Sequence, residues 1–401
     1  MRSGTTLRLA LLLGVCGIGY QAAVAADDLL YVQPDSASGS SGAVRVGATC
    51  LVHTEQVMAA DSKGKIEGKD AAEQFPRVLQ RLNRAGLDAG AGLDRCVKLN
   101  VYLKKSEDRA AIQALLAAEF SGEHKPAMAF VTTDLPHPDA FVAADAVIAS
   151  PREAPPNVKV SAASEHAAAA ALLPPGGRVY IAGQAEQGDL AAATRGTMQS
   201  LLKTLDHLGL NASHVVQIKS FLMPMGESAA ARREILSFFE EGQAPPLVFV
   251  EWQSSETTPI EIELIAFAPA STLPANPPAV EYITPPGMSA SPVFARVTRV
   301  AAKQTIYVSG LYGGQADDAE LQVRDIFGQL DKLLRPAGSS LKHLAKATYY
   351  VANEPVSTAL NKLRPEYYDP QRPPAASKAP VRGVGRGDRA LTLDMIAVPA
   401  E

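Results

Sequence analysis

The stretch HLGLNASHVVQIKSFL, residues His207 to Leu222, decides the fold because two counterparts of it occur elsewhere in the chain. These are RAGLDAGAGLDRCVKLNVYL (Arg84 to Leu103) and RPAGSSLKHLAKATYYV (Arg335 to Val351). In each, a helix closes near Gly and a short run suited to a half-buried strand follows. We assign one position of this repeat to Lys98, Lys219 and Lys346. The spacing of roughly 120 residues exceeds that of solenoid repeats, so each copy is expected to be a whole domain.

On both sides of this stretch, the spacing of apolar residues alternates between helical and strand-like patterns, in the same order in every copy. Before the stretch, apolar residues recur three and four positions apart, as in an amphipathic helix. These segments are EQFPRVLQRLNRAG, AATRGTMQSLLKTLDHLG and ELQVRDIFGQLDKLLRPAG. A second helix follows in AAIQALLAAEF, ARREILSFFEEG and TALNKLRPEYY, the last shortened by Pro365. Terminal strands are FVAADAVIA, IEIELIAFA and LTLDMIAV. The order ββαβαβ predicts an α+β unit with two helices on one face of a mixed sheet.

Three tandem domains are therefore expected, at residues 43–150, 158–269 and 281–400. The expected connectors are a flexible polar stretch (Pro34 to Gly42) and two proline-rich stretches (Ser150 to Asn157 and Pro269 to Val280). Three similar units can turn their free sheet faces towards one another, so we expect an intramolecular pseudo-trimer with clefts between neighbours.

The N-terminus has the pattern of an export signal over residues 1–25. Arg2 and Arg8 precede the apolar run LALLLGVCGIGY, and Ala23 to Ala25 provides a small-residue cleavage site. We therefore expect a periplasmic or secreted protein that is not membrane-bound after cleavage. The formal charge of −4 argues against nucleic acid as a partner.

Two cysteines, Cys50 and Cys96, remain after cleavage, and the sequence leaves open whether they form a disulfide or two buried thiols. The histidines show no paired ligand spacing, so neither a metal site nor a cofactor is expected.

The combination of VYIAGQ or IYVSG, a helix ending in LGL, a VQIK-type strand and an IEIEL-type terminal strand resembles the RidA family, also called YjgF. The resemblance covers most of residues 43–400. It is weakest in the first copy, which has HTEQ (His53 to Gln56) where the family usually has Ser-Gly-Gln. Family members are usually homotrimers of a chorismate-mutase-like fold with ligand sites between subunits. The resemblance implies a monomer that acts as a fused trimer, with small-molecule ligands in its interdomain clefts.

Many relatives hydrolyse small enamines and imines without a cofactor, and the resemblance implies which positions would take part. The family arginine that binds a substrate carboxylate falls on Met128, Leu247 and Ala376, so it is absent from every copy. The strand glutamate that handles a proton or water falls on Ala143, Glu261 and Thr392. Glu261 is thus the catalytic candidate. Its alternative is a sheet glutamate that is paired with a cation or solvated like Glu263, which we assign to the opposite face.

Further positions of the family cleft fall on polar residues of the second and third copies. The ligand-binding candidates are Gly183, Gln184, Ser309, Gly310, Asn361 and Ser377. Backbone N–H groups of the two glycine turns can hold an anion or carbonyl, although ordinary turn chemistry also requires Gly there. One of Lys378, Arg382, Arg386 and Arg389 can replace the missing arginine; the alternative is that they form a mobile, solvated basic loop.

Two functions from different classes follow. The first is an exported deaminase of small imines or enamines that uses Glu261 and a rearranged anion anchor. The second is a non-catalytic protein that binds a small molecule or a protein partner in the same clefts. The apolar residues at the arginine position favour this second function.

Overall fold

The computed structural model describes residue 1 and residues 29–161, 167–314 and 317–400. The expected signal peptide, residues 1–25, therefore lies outside the described residues except for Met1. Within these ranges, no helix combines the length and apolar character that crossing a membrane requires.

The described chain forms three α+β units, as predicted. The first unit comprises β1 (Leu29–Asp35), β2 (Ser40–Val46), β3 (Cys50–Thr54), β4 (Val57–Met58), α1 (Ala71–Ala89), β5 (Cys96–Leu103), α2 (Arg109–Glu119), β6 (Ala127–Thr132) and β7 (Val142–Ser150). The second unit comprises β8 (Lys159–Val160), β9 (Ala170–Leu173), β10 (Gly177–Gln184), α3 (Leu190–His207), β11 (Val215–Leu222), α4 (Ser228–Leu236), β12 (Leu247–Glu251) and β13 (Ile260–Ala268). The third unit comprises β14 (Val280–Ile283), β15 (Val297–Val300), β16 (Thr305–Val308), α5 (Ala319–Leu334), β17 (Leu344–Val351), α6 (Glu354–Tyr367), β18 (Ala375–Pro380) and β19 (Leu391–Ala397).

Two local predictions are wrong. The stretch Pro34 to Gly42 is not a flexible connector but the turn of the β1–β2 hairpin, so the first domain begins well before residue 43. The Asp35 carboxylate fixes this turn by accepting hydrogen bonds from the Ala37 N–H and the Ser38 hydroxyl. Pro365 does not shorten α6, which continues to Tyr367 because the proline falls in its last turn.

Each N-terminal hairpin completes the sheet of a different unit. The β8–β9 hairpin of the second unit pairs with β3 of the first. The β14–β15 hairpin of the third unit pairs with β10 of the second. The β1–β2 hairpin of the first unit pairs with β16 of the third, which closes the cycle. Every unit therefore gives one hairpin and receives one.

The hydrophobic cores follow this exchange. Val32 and Ala43 of the first hairpin are buried with Ile306 and Phe327 in the core of the third unit. Ala170 and Leu172 of the second hairpin lie in the core of the first unit. A further buried cluster contains residues of all three units, so the units meet around a shared apolar centre.

The strand registers correct the predicted position of one lysine. Lys98, Gln217 and Lys346 are equivalent, because they lie opposite Val147, Ile265 and Ile396 on the terminal strands. Lys219 lies two residues further along its strand, at the position of Asn100 and Thr348. Residues two apart on a strand share a face, so all three lysines still point towards the centre of the molecule.

A buried ionic cluster lies at this centre, around a small cavity. Lys98 Nζ is 3.1 Å from Asp394 Oδ1, and Lys219 Nζ is 3.5 Å from Asp394 Oδ2. Lys346 Nζ is 2.9 Å from Glu263 Oε1. Burial alone would raise the pKa of Asp394, but the surrounding lysine ammonium groups outweigh it and hold that pKa well below its usual value.

The third carboxyl of the cluster, Asp145, is held differently. It accepts hydrogen bonds from the Tyr102 hydroxyl at 2.6 Å and from Asn100 Nδ2 at 3.1 Å. Burial raises the pKa of Asp145. The equivalent residues Asp145 and Asp394 thus have pKa values shifted in opposite directions.

The hairpin exchange is tested by Val32→Ala, which removes methyl groups from the core of the third unit. We expect a loss of about 2 kcal/mol in the free energy of unfolding. Leu30, 40% exposed on the same strand, supplies the control variant Leu30→Ala, which should be nearly neutral. Hydrogen exchange should accelerate in β16 and α5. Acceleration confined to β3 and α1 would contradict the exchange.

The ionic cluster predicts unequal costs for two chemically identical changes. Asp394→Asn leaves two buried ammonium groups without their counter-charge and should cost about 3–5 kcal/mol in denaturant unfolding. Asp145→Asn keeps an acceptor for Tyr102, and a flip of the Asn100 amide lets its side-chain oxygen, which has no partner among the described residues, accept from the new amide. It should cost about 1 kcal/mol or less.

The lowered pKa of Asp394 also predicts how the free energy of unfolding changes at acidic pH. The contribution of Asp394 is present above its unfolded pKa of about 3.9 and is lost as pH falls below it, because its folded pKa is lower. Equal costs for the two variants, or an acid dependence that Asp394→Asn leaves unchanged, would contradict this account of the cluster.

Candidate functional site

Glu261 lies at the start of β13, where the second unit faces the third. It is partly buried and packs directly against the backbone of Gly183 at the end of β10. A methyl group added at Gly183 would lie 1.9 Å from Glu261 Oε1. Any side chain at position 183 would therefore force the Glu261 carboxyl group to move.

Glu263 shares a face with Glu261, because residues two apart on a strand point the same way. Its assignment to the opposite face is wrong. The Ser377 hydroxyl of the third unit donates to Glu263 Oε2 at 2.8 Å and accepts from the Gly183 N–H at 3.0 Å. Burial, followed by repulsion from Glu263, raises the pKa of Glu261 to about 8. Glu261 is thus protonated near neutral pH.

Lys378 brings a cation to the same cleft. Its ammonium donates to Ser357 Oγ at 3.0 Å and to Asn361 Oδ1 at 3.3 Å, both on α6. Burial, followed by the charge of Arg364, lowers the pKa of Lys378, while the charge of Glu261 acts in the opposite direction. Lys378 lies two residues beyond Ala376, and thus on the same strand face as the position of the family arginine.

The remaining candidate of the second unit points elsewhere. The Gln184 side chain is buried and donates from Nε2 to Thr204 Oγ1 of α3 at 2.9 Å. Its Oε1 has no partner among the described residues. Gln184 thus supports the turn from inside the second unit.

The equivalent cleft between the first and second units is filled by Gln56. Its Nε2 donates to the Phe249 carbonyl at 2.9 Å, and its Oε1 accepts from the Phe249 N–H at 3.3 Å. The Arg232 guanidinium covers the ring of Phe249 at 5.2 Å. Ala143 stands where the second unit has Glu261, so the acid is absent from this strand position. The neighbouring Glu55 supplies a different carboxyl, whose pKa is raised by burial, while the charge of Arg232 acts to lower it.

At the cleft between the third and first units, main-chain hydrogen bonds link the end of β16 to the first unit. The Ser309 N–H donates to the Gly42 carbonyl and the Gly310 N–H to the Met128 carbonyl, both at 2.8 Å. The Ser309 hydroxyl accepts from the Met128 N–H at 2.7 Å. The two N–H groups considered for ligand binding are therefore used within the protein.

The segment 381–389 is packed against the first unit, which contradicts the expectation of a mobile, solvated loop. Gly383 exchanges two backbone hydrogen bonds with Thr132, at 2.8 and 3.2 Å. Gly385 has a φ of +74°, and a Cβ there would lie 2.4 Å from Phe130 Cβ. Arg382 binds Asp134 of the first unit at 2.5 Å. The small residues and the ion pair fix the loop.

The site can carry acid–base chemistry with its own side chains. Among the described residues, no group of three or more His, Cys, Asp or Glu side chains is placed to hold a metal ion. Cys50 and Cys96 are buried free thiols, so the alternative without a disulfide is confirmed. Glu261, Gly183, Asn361, Ser377 and Lys378 all come from the sequence pattern, and the fold brings them together at one cleft.

Comparison with known proteins identifies the domain. The family model described as endoribonuclease L-PSP matches the chain three times, over residues 20–149, 160–268 and 289–398. A RutC family protein of Pyrococcus abyssi is 32% identical over 107 residues, which are 27% of this chain and 83% of that protein.

Solved structures of similar proteins include a Rid family protein, YyfB, of Yersinia pestis, with 24% identity, a TM-score of 0.29 and coverage of 30% of this chain and 98% of its own. Another is NMB1025 of Neisseria meningitidis, a YjgF family member with 22% identity, a TM-score of 0.23 and coverage of 30% and 96%. The three matches of the family model span most of the chain. It therefore belongs to the endoribonuclease L-PSP family, the RidA/YjgF proteins, and contains three tandem copies of the family domain.

Proposed function

We propose that the protein hydrolyses small carboxylate-bearing imines or enamines in the cleft between its second and third units. The observation that carries this proposal is that Glu261, whose pKa is raised to about 8, shares its cleft with the Lys378 ammonium, which carries the opposite charge when protonated. An acid that is protonated near neutral pH can donate its proton and recover it within one catalytic cycle.

The proposed steps require only water and Glu261. The protonated carboxyl donates to the imine nitrogen while a water oxygen attacks the imine carbon. The resulting carboxylate takes a proton from the added water, which leaves a carbinolamine. Glu261 then protonates the amine, the C–N bond breaks, and the hydroxyl proton returns to the carboxylate. The products are a carbonyl compound and ammonia, and Glu261 is protonated again.

Lys378 takes the place of the missing arginine as the anchor for the substrate carboxylate. An ammonium group offers a point charge rather than a bidentate fork, so a weaker and less directional contact is expected. Asn361 and Ser357 hold the ammonium from the helix side, which positions it towards the cleft.

A second candidate function is non-catalytic binding of a small molecule in this cleft. It is favoured by the other two clefts, where Ala143 and Thr392 stand at the position of Glu261. The absence of the glutamate from two of the three clefts is consistent with a protein that binds a ligand without catalysing a reaction. The experiment below distinguishes the two functions.

Imines generated in situ by an amino-acid oxidase provide the assay. We expect the mature chain to accelerate their hydrolysis, with kcat/KM falling as pH rises through about 8, because the proton donor is then ionised. Glu261→Gln should lower kcat/KM by roughly 100-fold or more. Lys378→Met should raise KM roughly tenfold for carboxylate-bearing imines and leave uncharged imines unaffected.

The matched controls are Glu256→Gln and Lys203→Met, two exposed positions of the second unit, which should behave as the unmodified chain. Acceleration that Glu261→Gln leaves intact would place the chemistry at another site. If no imine reacts faster than in buffer, hydrolysis is refuted and the binding function is retained.

We also propose that the chain is exported and acts as a monomeric fused trimer. The N-terminal pattern of residues 1–25 and the three tandem domains support this proposal. Expression of the full chain in a Gram-negative host should yield a periplasmic form that begins at Ala26, measured by intact mass. Light scattering should give the mass of one chain. A cytoplasmic, uncleaved product or a stable dimer would contradict the respective part.

A further inference from the structure

A cavity of about 600 Å³ lies between the first and third units, apart from the cleft of Glu261. Its lining includes five basic side chains: Lys104, Lys105, Arg382, Arg386 and Arg389. The lining contains one carboxylate, Glu107. Because the whole chain carries a formal charge of −4, this local excess of positive charge is not explained by composition.

Two of the arginines fix the wall of the cavity. Arg382 binds Asp134 Oδ1 at 2.7 Å, and Arg389 donates to the Gly313 carbonyl at 2.6 Å and the Gly314 carbonyl at 3.1 Å. Together with the Gly383–Thr132 hydrogen bonds, these contacts hold the loop in place. A loop fixed in this way can present further cations at constant positions.

The guanidinium of Arg386 is occupied by an exposed carboxylate of its own loop. Its Nε and Nη2 donate to the two oxygens of Asp388, each at 3.0 Å. Arg389 Nη1 lies 2.6 Å from Asp388 Oδ2. Asp388 is 53% exposed, and its hydrogen bonds with Arg386 lower its pKa. This is the bidentate geometry that arginine offers to carboxylates and phosphates.

The opposite wall offers unused donors. Within the described ranges, the Lys105 ammonium and the Ser106 hydroxyl form no hydrogen bond or ion pair, and both line the cavity. Asn353, the N-cap of α6 in the third unit, also lines the cavity, and its Oδ1 accepts from the Val356 N–H, which leaves its amide nitrogen without an acceptor among the described residues. A ligand that spans the cavity would meet cations on both sides.

We propose that this cavity binds a small anion with two or more negative charges, a phosphate ester or a polycarboxylate, and that Asp388 holds the place of one of its anionic groups. On binding, one group displaces the Asp388 carboxylate from Arg386, and another reaches Lys105 and Ser106. The volume suits a metabolite, and the cations are gathered in one cavity rather than spread along a groove, which argues against RNA.

Calorimetric titration of the full mature chain with pyrophosphate and with citrate tests this site and distinguishes phosphate from carboxylate. We expect binding of at least one of them that weakens with added salt. Arg386→Gln should weaken it roughly three- to tenfold. Asp388→Asn should tighten it by a similar factor, because the arginine no longer has an internal competitor.

The matched controls are Lys203→Gln and Asp206→Asn, which make the same charge changes on the exposed face of α3 and should leave the affinity unchanged. The proposal is overturned if neither anion binds the unmodified chain or Asp388→Asn. It is also overturned if the control variants shift affinity as much as the loop variants, or if a single-stranded oligonucleotide binds more tightly than both small anions. The outcome does not depend on imine hydrolysis, which uses a different cleft.

Discussion

Exchange of the N-terminal hairpins is the constraint on which the rest of the structure depends. A sheet edge left without a partner exposes backbone N–H and C=O groups and invites aggregation. Here the edges formed by β3, β10 and β16 are covered by hairpins from other units, and the cycle closes after three steps. No unit can complete its sheet alone, so the clefts between units have fixed walls. Each cleft takes its residues from two different parts of the chain.

Three copies of the domain in one chain can differ at equivalent positions. In a symmetric homotrimer, every subunit would present the same charges to the centre. Here Asp394 pairs with two lysines, Glu263 with one, and Asp145 with a tyrosine and an asparagine. The same freedom applies to the clefts. One has a glutamate near the start of its terminal strand, and burial raises the pKa of this group, while the other two have Ala143 and Thr392 at the same position.

The sequence predicted the units well because their helices and strands have strong local periodicity. It also aligned Met128, Leu247 and Ala376 as equivalent positions of the three repeats, and the strand registers agree with that alignment. It failed where pairing is non-local. The exchange of hairpins leaves no signal in the local sequence. The misalignment of Lys219 by two residues was not detectable either, because residues two apart on a strand lie on the same face. The loop of Arg382 and Gly383 looked mobile because its anchors, Thr132 and Asp134, are far away in sequence.

The hairpin of the first unit also brings the beginning and the end of the described chain together. β1 pairs with β2, β2 with β16, and β16 with β19, so the first and last strands belong to one sheet. In spatial terms, residues 29–397 form nearly a closed loop, and its two ends mark one of three comparable junctions. The proline-rich junctions near residues 151–158 and 269–279 are the other two. Joining the two ends and opening the chain at either proline-rich junction would give a circular permutant. Such a permutant would keep the cycle of exchanged hairpins but begin with a different domain.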